Sequence, residues 1–262
     1  MRAKRKNVAI AVLAGVSAVA MSHAAQGAAI DIQFAGNKPE LQPTDVAGVV
    51  PEANWNATTL ASWSGGTTLD LSDNSGSLTT ATLSGSASGP YFGGGISDGS
   101  PGDSVLTAGE VYSGWSGPGT GSLMTFSTIP YSNYEVIVEA SIDSTGRNET
   151  IGLTPGGGST SYWSFTTMGG GNAWIPATDP AVGWDGSTGS QPATVSANYA
   201  IFTGETASSF VLNWGAPGNG AINGVQIIET AGVPEPMSLG ILGIGAAMSL
   251  VRRRRTSVPP GT

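Results

Sequence analysis

The chain contains no cysteine, and its only histidine is His23. Without cysteine it can form no disulfide bond and carry out no thiol chemistry. His23 falls within a segment that we interpret below as a removable leader, so we expect the mature protein to contain no histidine. Ser-His-Asp and Cys-His catalysis, histidine-ligated zinc and histidine proton shuttles are then excluded.

Basic residues are scarce in the long central part of the chain. The chain has 10 basic and 18 acidic residues, but residues 30–232 keep only Lys38 and Arg147 and all the acids except Glu235, a net charge of −15. Such a surface repels phosphate backbones, which are bound by clustered lysine and arginine. Nucleic acid is therefore not an expected partner.

The N-terminus has the pattern of a secretory signal peptide. Four basic residues among the first six precede an uncharged run of 14 residues, Val8–Met21, and a stretch of small residues that ends at Ala29. The run is shorter than the roughly 20 residues of a stable membrane span, which disfavours a retained anchor. We therefore predict a signal peptide over residues 1–29, cleaved between Ala24 and Ala29 after export by the Sec machinery and removed by signal peptidase.

A second apolar run, Met237–Val251, lies near the C-terminus and predicts a short hydrophobic helix. The motif Pro234, Glu235 and Pro236 precedes it, and the cluster Arg252, Arg253, Arg254 and Arg255 follows it. The arginines orient their side toward the cytoplasm, so the central part is expected outside. A helix of 15 residues spans roughly 22 Å, less than the ~30 Å of bilayer hydrocarbon, and is a poor permanent anchor.

These three C-terminal features together resemble the PEP-CTERM sorting signal of bacterial proteins. The resemblance implies a sorting tail over residues 232–256, with a terminal extension at 257–262, that is recognised by an exosortase-like membrane enzyme of exopolysaccharide-producing bacteria. It also implies a protein held briefly at the inner membrane and then placed at the cell surface or released. The alternative interpretation is a plain C-terminal membrane anchor after a proline-rich linker.

The central part has the composition of one all-β domain. Its roughly 200 residues suffice for a single core, and short segments rich in β-branched and aromatic residues recur between glycine-rich turns. We predict strands at Ile30–Phe34, Val46–Val50, Thr67–Leu71, Leu78–Leu83, Leu123–Ile129, Tyr134–Ile142, Ser161–Thr166, Val195–Phe202, Ser209–Trp214 and Ile222–Ile228. Thr107–Trp115 is the one candidate for helical turns. The pattern favours a single jelly-roll-like β-sandwich over residues 30–231.

Two stretches of this body carry a further resemblance. Residues 47–56, together with 198–202 and 221–228, resemble uncharacterised PEP-CTERM proteins. Residues 222–227 are also similar to the closing strand of malectin-like and galactose-binding-like jelly rolls, in which the last strand returns beside the first. Those folds often bind carbohydrate, so the resemblance implies extracellular polysaccharide as a candidate partner, although many such domains are purely structural.

Tryptophan and aspartate supply the candidate ligand-binding residues. Trp174 and Trp184 lie in the loop-like stretch 169–191 and could stack on sugar rings, whereas Trp163 and Trp214 lie in predicted strands and favour core packing. Calcium is the only cofactor candidate, because carboxylates occur on two turn-like segments. The acids concerned are Asp70, Asp73, Asp98 and Asp103, which as turn formers also have a purely structural interpretation.

These observations favour a non-catalytic binding or structural protein of the cell envelope. The alternative is a secreted hydrolase that acts on polysaccharide through paired carboxylates, one of them with a raised pKa. No motif selects such a pair from the 17 acids of the body. The hydrolase hypothesis predicts two facing carboxylates in a deep cleft.

Overall fold

The computed structural model describes residues 27–96, 100–113, 122–143, 145–171, 173–178, 195–215 and 220–230. These residues form predominantly β-strands, which confirms the predicted all-β class. No helix among them is long and apolar enough to cross a bilayer. The predicted sorting tail and nearly all of the predicted signal peptide lie outside the described residues.

Seven strands and two short helices occupy the first half of the described chain. They are β1 (Ala29–Phe34), β2 (Asn56–Thr58), helix α1 (Leu60–Trp63), β3 (Thr68–Ser72), β4 (Leu78–Ser86), β5 (Gly89–Phe92), helix α2 (Pro101–Leu106), β6 (Gly109–Tyr112) and β7 (Leu123–Ser127). The second half contributes β8 (Tyr134–Glu139), β9 (Thr145–Pro155), β10 (Ser161–Met168), β11 (Ser196–Ala197), β12 (Tyr199–Glu205), β13 (Phe210–Gly215), β14 (Ala221–Ile222) and β15 (Gly224–Glu229).

The strands assemble into three sheets. A five-stranded sheet has the order β12-β8-β15-β1-β2, a seven-stranded sheet has the order β11-β10-β9-β13-β7-β4-β3, and a small sheet has the order β14-β6-β5. Pairing is antiparallel except for β1 with β2 and β10 with β11. The closing strand β15 lies beside β1, with Ala29 opposite Ile228, which is the adjacency that the jelly-roll resemblance implies.

One hydrophobic core joins the two larger sheets. Alternate residues of β1, Ile30, Ile32 and Phe34, are buried in the same cluster as Phe126 and Phe210 of the seven-stranded sheet, whose rings stack 4.7 Å apart. Full burial of such a side chain contributes about 1.5–3 kcal/mol. The inward faces of both sheets are therefore stabilised by packing against each other.

Two predicted elements differ from the structure. Val46–Val50 is a turn rather than a strand, because Gly48 has a φ of +99°, outside the range of extended backbone. The helix predicted within Thr107–Trp115 begins earlier, as α2, where Ser100 accepts a hydrogen bond from the N–H of Asp103 and proline occupies the first helical position. Residues Gly109–Tyr112 of the stretch form β6 instead.

Candidate functional site

The outer face of the five-stranded sheet carries buried polar side chains. Strand alternation directs Asp31 and Gln33 of β1, Gln226 of β15 and Glu139 of β8 away from the core, yet each is at most 1% exposed. They are covered by residues 46–55, which we call the covering loop, and by α2. This cover explains why polar residues on the face that normally meets water are inaccessible.

The covering loop is held through its backbone. Three consecutive N–H groups each donate to a side-chain oxygen: Gly48 to Asp103 Oδ1 at 2.7 Å, Val49 to Glu139 Oε1 at 3.1 Å and Val50 to Gln226 Oε1 at 3.0 Å. Gln226 also donates to the Val50 carbonyl and to Asp31 Oδ1, at 2.8 and 3.0 Å. The side chains thus satisfy backbone groups that have no partner in a regular sheet.

Burial raises the pKa values of two of these acids. Desolvation raises the pKa of Asp31 to about 8, partly offset by the hydrogen bond from Gln226. Desolvation also raises the pKa of Glu139 well above its usual value. One carboxyl oxygen of each, Asp31 Oδ2 and Glu139 Oε2, has no hydrogen-bond partner within the described residues. Burial therefore favours the protonated, uncharged form of both acids.

A second buried acid pair lies where β6, β9 and the segment before β14 meet. Glu149 is fully buried and accepts the Ala221 N–H at 3.2 Å, and burial raises its pKa, with the charge of Glu110 adding to the shift. Burial likewise raises the pKa of Glu110 to about 8. Arg147 lies 3.9 Å from Asp143 in the same neighbourhood.

Neither acid group has the arrangement that carboxylate-dependent hydrolysis requires. A glycosidase pairs one protonated acid with one ionised partner, and both must reach the substrate. Asp31, Glu139, Glu110 and Glu149 all have raised pKa values and are at most 2% exposed. Glu139 and Glu149 instead accept hydrogen bonds from neighbouring backbone N–H groups, and Asp31 accepts one from the Gln226 side chain.

The calcium candidates are not brought together as a set. Asp73 Oδ1 already accepts hydrogen bonds from the backbone N–H groups of Ser75 and Ser77 and from the Ser75 hydroxyl. Asp103 is buried under the covering loop, Asp70 is exposed on β3, and Asp98 lies outside the described residues. Among the described residues no group of three acids has the spacing of a metal site.

The two tryptophans proposed for sugar stacking have separate outcomes. Trp174 is half-buried, its indole N–H donates to Asp103 Oδ2 at 3.3 Å, and its ring packs edge-on against Tyr199. It therefore contributes to the cover over the sheet, while Trp184 lies outside the described residues. Trp214 is buried in the core, as predicted, and Trp163 packs against the core at its edge.

Within the described residues, the exposed aromatic surface lies at β5 and β6. Tyr91 and Phe92 are 48% and 52% exposed, and their ring centroids lie 5.3 Å apart. Tyr112 packs edge-on against Tyr91, and Lys38 Nζ lies 4.0 Å from the centre of the Phe92 ring. We call these four residues the aromatic corner. This corner was not predicted as a site from the sequence, although adjacent aromatic residues in a glycine-rich stretch were a usable signal.

A surface pocket adjoins the aromatic corner. Its volume is about 390 Å³, and its lining consists of Gly36, Asn37, Thr59, Leu60, Ala61, Ser64 and Pro90. Pro90 immediately precedes Tyr91, and Gly36 lies against both. These lining residues include no acid, so they offer hydroxyl, amide and apolar groups only.

Comparison of the chain with protein-family models, with curated proteins and with solved structures gave no significant match. The candidate function therefore depends on the residues and on the geometry described above.

Proposed function

We propose that this chain is an exported, non-catalytic binding or structural module of the bacterial cell envelope. The supporting observation is the hydrogen bonding of its buried acids. Asp103, Glu139 and Glu149 accept hydrogen bonds from backbone N–H groups of neighbouring segments, so these carboxyl groups are committed to holding the fold. The described surface also offers exposed aromatic residues and a pocket whose lining contains no acid.

The fold that we propose for this module is a jelly-roll-like sandwich. Support comes from the shared core of the two larger sheets and from the return of β15 to a position beside β1. The seven-stranded sheet is continuous from β11 to β3, which gives the module a broad second layer.

Delivery is proposed to follow the two terminal signals. Signal peptidase cleavage before Ala28 fits best, because the Ala28 carbonyl accepts the Glu229 N–H and Ala29 is the first residue of β1. Pro234, Glu235 and Pro236 would then be recognised by an exosortase-like enzyme, and the module would pass from the inner membrane to the surface or the medium. A plain anchor remains the competing hypothesis.

Mass spectrometry of the mature C-terminus tests this delivery. We expect the protein from the wild-type strain to end near Pro234–Pro236 and the protein from a strain without the processing enzyme to keep residues 237–262. A C-terminus at Thr262 in both strains would refute processing and favour the plain anchor.

Carbohydrate is the proposed ligand class of the module. The supporting features are the exposed rings of the aromatic corner and the uncharged lining of the adjoining pocket. Native affinity gels that contain polysaccharide test this role, since a binder is retarded. A protein that migrates equally with and without every polymer would remove carbohydrate from the proposal and leave a structural role.

A further inference from the structure

We propose that the aromatic corner and the adjoining pocket together form the binding site for a neutral polysaccharide. This inference rests on the proposed function and locates it at residues that differ from the tryptophans favoured by sequence. The site combines apolar ring faces, polar side chains and a pocket of about 390 Å³, within the range of about 300–1,000 Å³ that is usual for small-molecule sites.

The rings are accessible and held in place. Tyr91 and Phe92 belong to the few large hydrophobic residues exposed among the described residues. Tyr112 supports Tyr91 edge-on, and the Lys38 ammonium lies over Phe92. Aromatic side chains lose little conformational entropy on binding when they are already fixed, and they offer the apolar surface against which the C–H face of a sugar packs.

The pocket supplies hydrogen-bonding groups with no other role. The side chains of Asn37, Thr59 and Ser64 make no hydrogen bond within the described part of the chain. Thr59 is notable because it occupies the N-cap of α1, a position where threonine usually accepts a backbone hydrogen bond, yet its side chain does not. An amide and two hydroxyls beside exposed rings match the alternating C–H and O–H surface of a sugar.

Charge selects a neutral polymer over an acidic one. Residues 30–232 carry a net charge of −15, which repels uronate-rich chains. Lys38, one of the two basic residues in that span, is engaged with the Phe92 ring. An anionic polymer would therefore be repelled at long range, and the nearby cation, Lys38, already contacts the Phe92 ring.

Affinity electrophoresis of the purified chain tests the site. The gels contain hydroxyethyl cellulose, galactomannan or xylan as neutral polymers, or polygalacturonate as an anionic one. We expect at least one neutral polymer to retard the wild-type chain, and the Tyr91→Ala/Phe92→Ala variant to bind it about tenfold more weakly or worse. Asn37→Ala, an exposed change that leaves the rings in place, should also weaken binding.

A matched control is Leu78→Ala, which removes an exposed hydrophobic side chain (71% exposed) from β4. It should bind like the wild type. Unchanged binding by both site variants would overturn the site while leaving carbohydrate binding intact. Failure of the wild-type chain to bind any neutral polymer would overturn carbohydrate binding and this site together, and binding of polygalacturonate alone would overturn the choice of a neutral ligand. A wild-type dimer that the double variant converts to monomer would assign the corner to self-association instead.

Discussion

Asp31 and Glu139 lie on the covered face of a sheet, and the neighbouring charges that shift their pKa values within the described chain are those of other acids. The body's two basic residues contact other groups, Lys38 an aromatic ring and Arg147 the Asp143 carboxylate. A buried acid without a cationic partner is tolerated in a folded protein because it stays protonated. At the scale of single residues, burial thus favours the uncharged form of some of the chain's acids.

The folded protein binds protons at these buried acids that the unfolded chain releases. We therefore expect the free energy of unfolding to fall as the pH rises. The folded-state pKa of Asp31 is about 8, whereas an unfolded aspartate has a pKa of about 4. Its stabilising contribution is complete below the unfolded pKa and is lost as the pH rises toward the folded pKa. In Asp31→Asn the side chain cannot ionise, so urea unfolding from pH 5 to 8 should show a flatter decline, by up to about 1.4 kcal/mol per pH unit.

Asp70→Asn is the control for that experiment, because Asp70 is exposed on β3. It should give the same pH dependence as the wild type. If Asp31→Asn and the wild type decline in parallel, Asp31 is ionised in the folded protein and the proposed protonation is wrong.

Calcium removal provides a second prediction at this scale. Hydrogen bonds from Ser75 and Ser77 lower the pKa of Asp73 and occupy its Oδ1, so the carboxylate stabilises its own turn. We expect the thermal midpoint to be the same in calcium and in EGTA. A rise of several degrees in calcium would contradict this expectation and show that the folded chain binds the ion.

At the scale of elements, the covering loop depends on the absence of a side chain at Gly48. An added Cβ would lie 2.6 Å from Trp55 Cζ2 and 2.8 Å from Gln226 Oε1, and the φ of +99° is itself unfavourable for alanine. We expect Gly48→Ala to lower the free energy of unfolding by about 2 kcal/mol more than a change that has the strain alone. Urea denaturation measures the difference.

Gly66→Ala is that comparison, since Gly66 has a similar φ of +91° but no atom within 4 Å of an added Cβ. Backbone strain is then common to both variants, and only crowding differs. Equal losses in the two variants would mean that the loop is not packed against Gln226 and Trp55.

Most of the sheet elements could be predicted from sequence because their alternation is local. Tyr134, Val136 and Val138 face the core as the pattern indicates. Glu139 lies on the opposite face of the strand, yet it is buried, because the covering loop, which lies 90 residues earlier in the chain at Val49, packs over it. Strand β9, an 11-residue strand, was missed because its charged and polar residues give no clear alternation.

The candidate site was less predictable than the fold. Phe92 and Lys38 are distant in sequence and meet because Gly36 allows the chain to turn against Pro90 after β1. The high tryptophan content favoured Trp174 as a candidate, but its indole N–H donates a hydrogen bond to Asp103. Whether an aromatic residue stays exposed depends on packing by segments that are distant in sequence, and a local sequence pattern does not predict such packing.

At the scale of the whole molecule, the shared core predicts one cooperative unfolding transition. Residues of β1, β4, β8, β9, β13 and β15 belong to a single hydrophobic cluster. If either large sheet unfolded, the apolar face of the other would therefore be exposed to water. Near-ultraviolet circular dichroism, which reports on buried Trp63 and Trp214, should follow the same urea curve as far-ultraviolet circular dichroism, which reports on strands. Separated midpoints would indicate that the sheets unfold independently.

The pairing of β1 with β15 also sets how the molecule would bear mechanical load. Ala29 lies opposite Ile228 at one end of the pair, and β1 runs about 20 Å from there to Phe34, just before Gly36 and the aromatic corner. In a chain tethered through the residues after β15, a pull on the corner would slide the two strands lengthwise. Sliding strains all the hydrogen bonds between the two strands together, whereas peeling would break them one by one. Force between the aromatic corner and a tether after β15 would therefore act along the direction in which the strand pair resists it best.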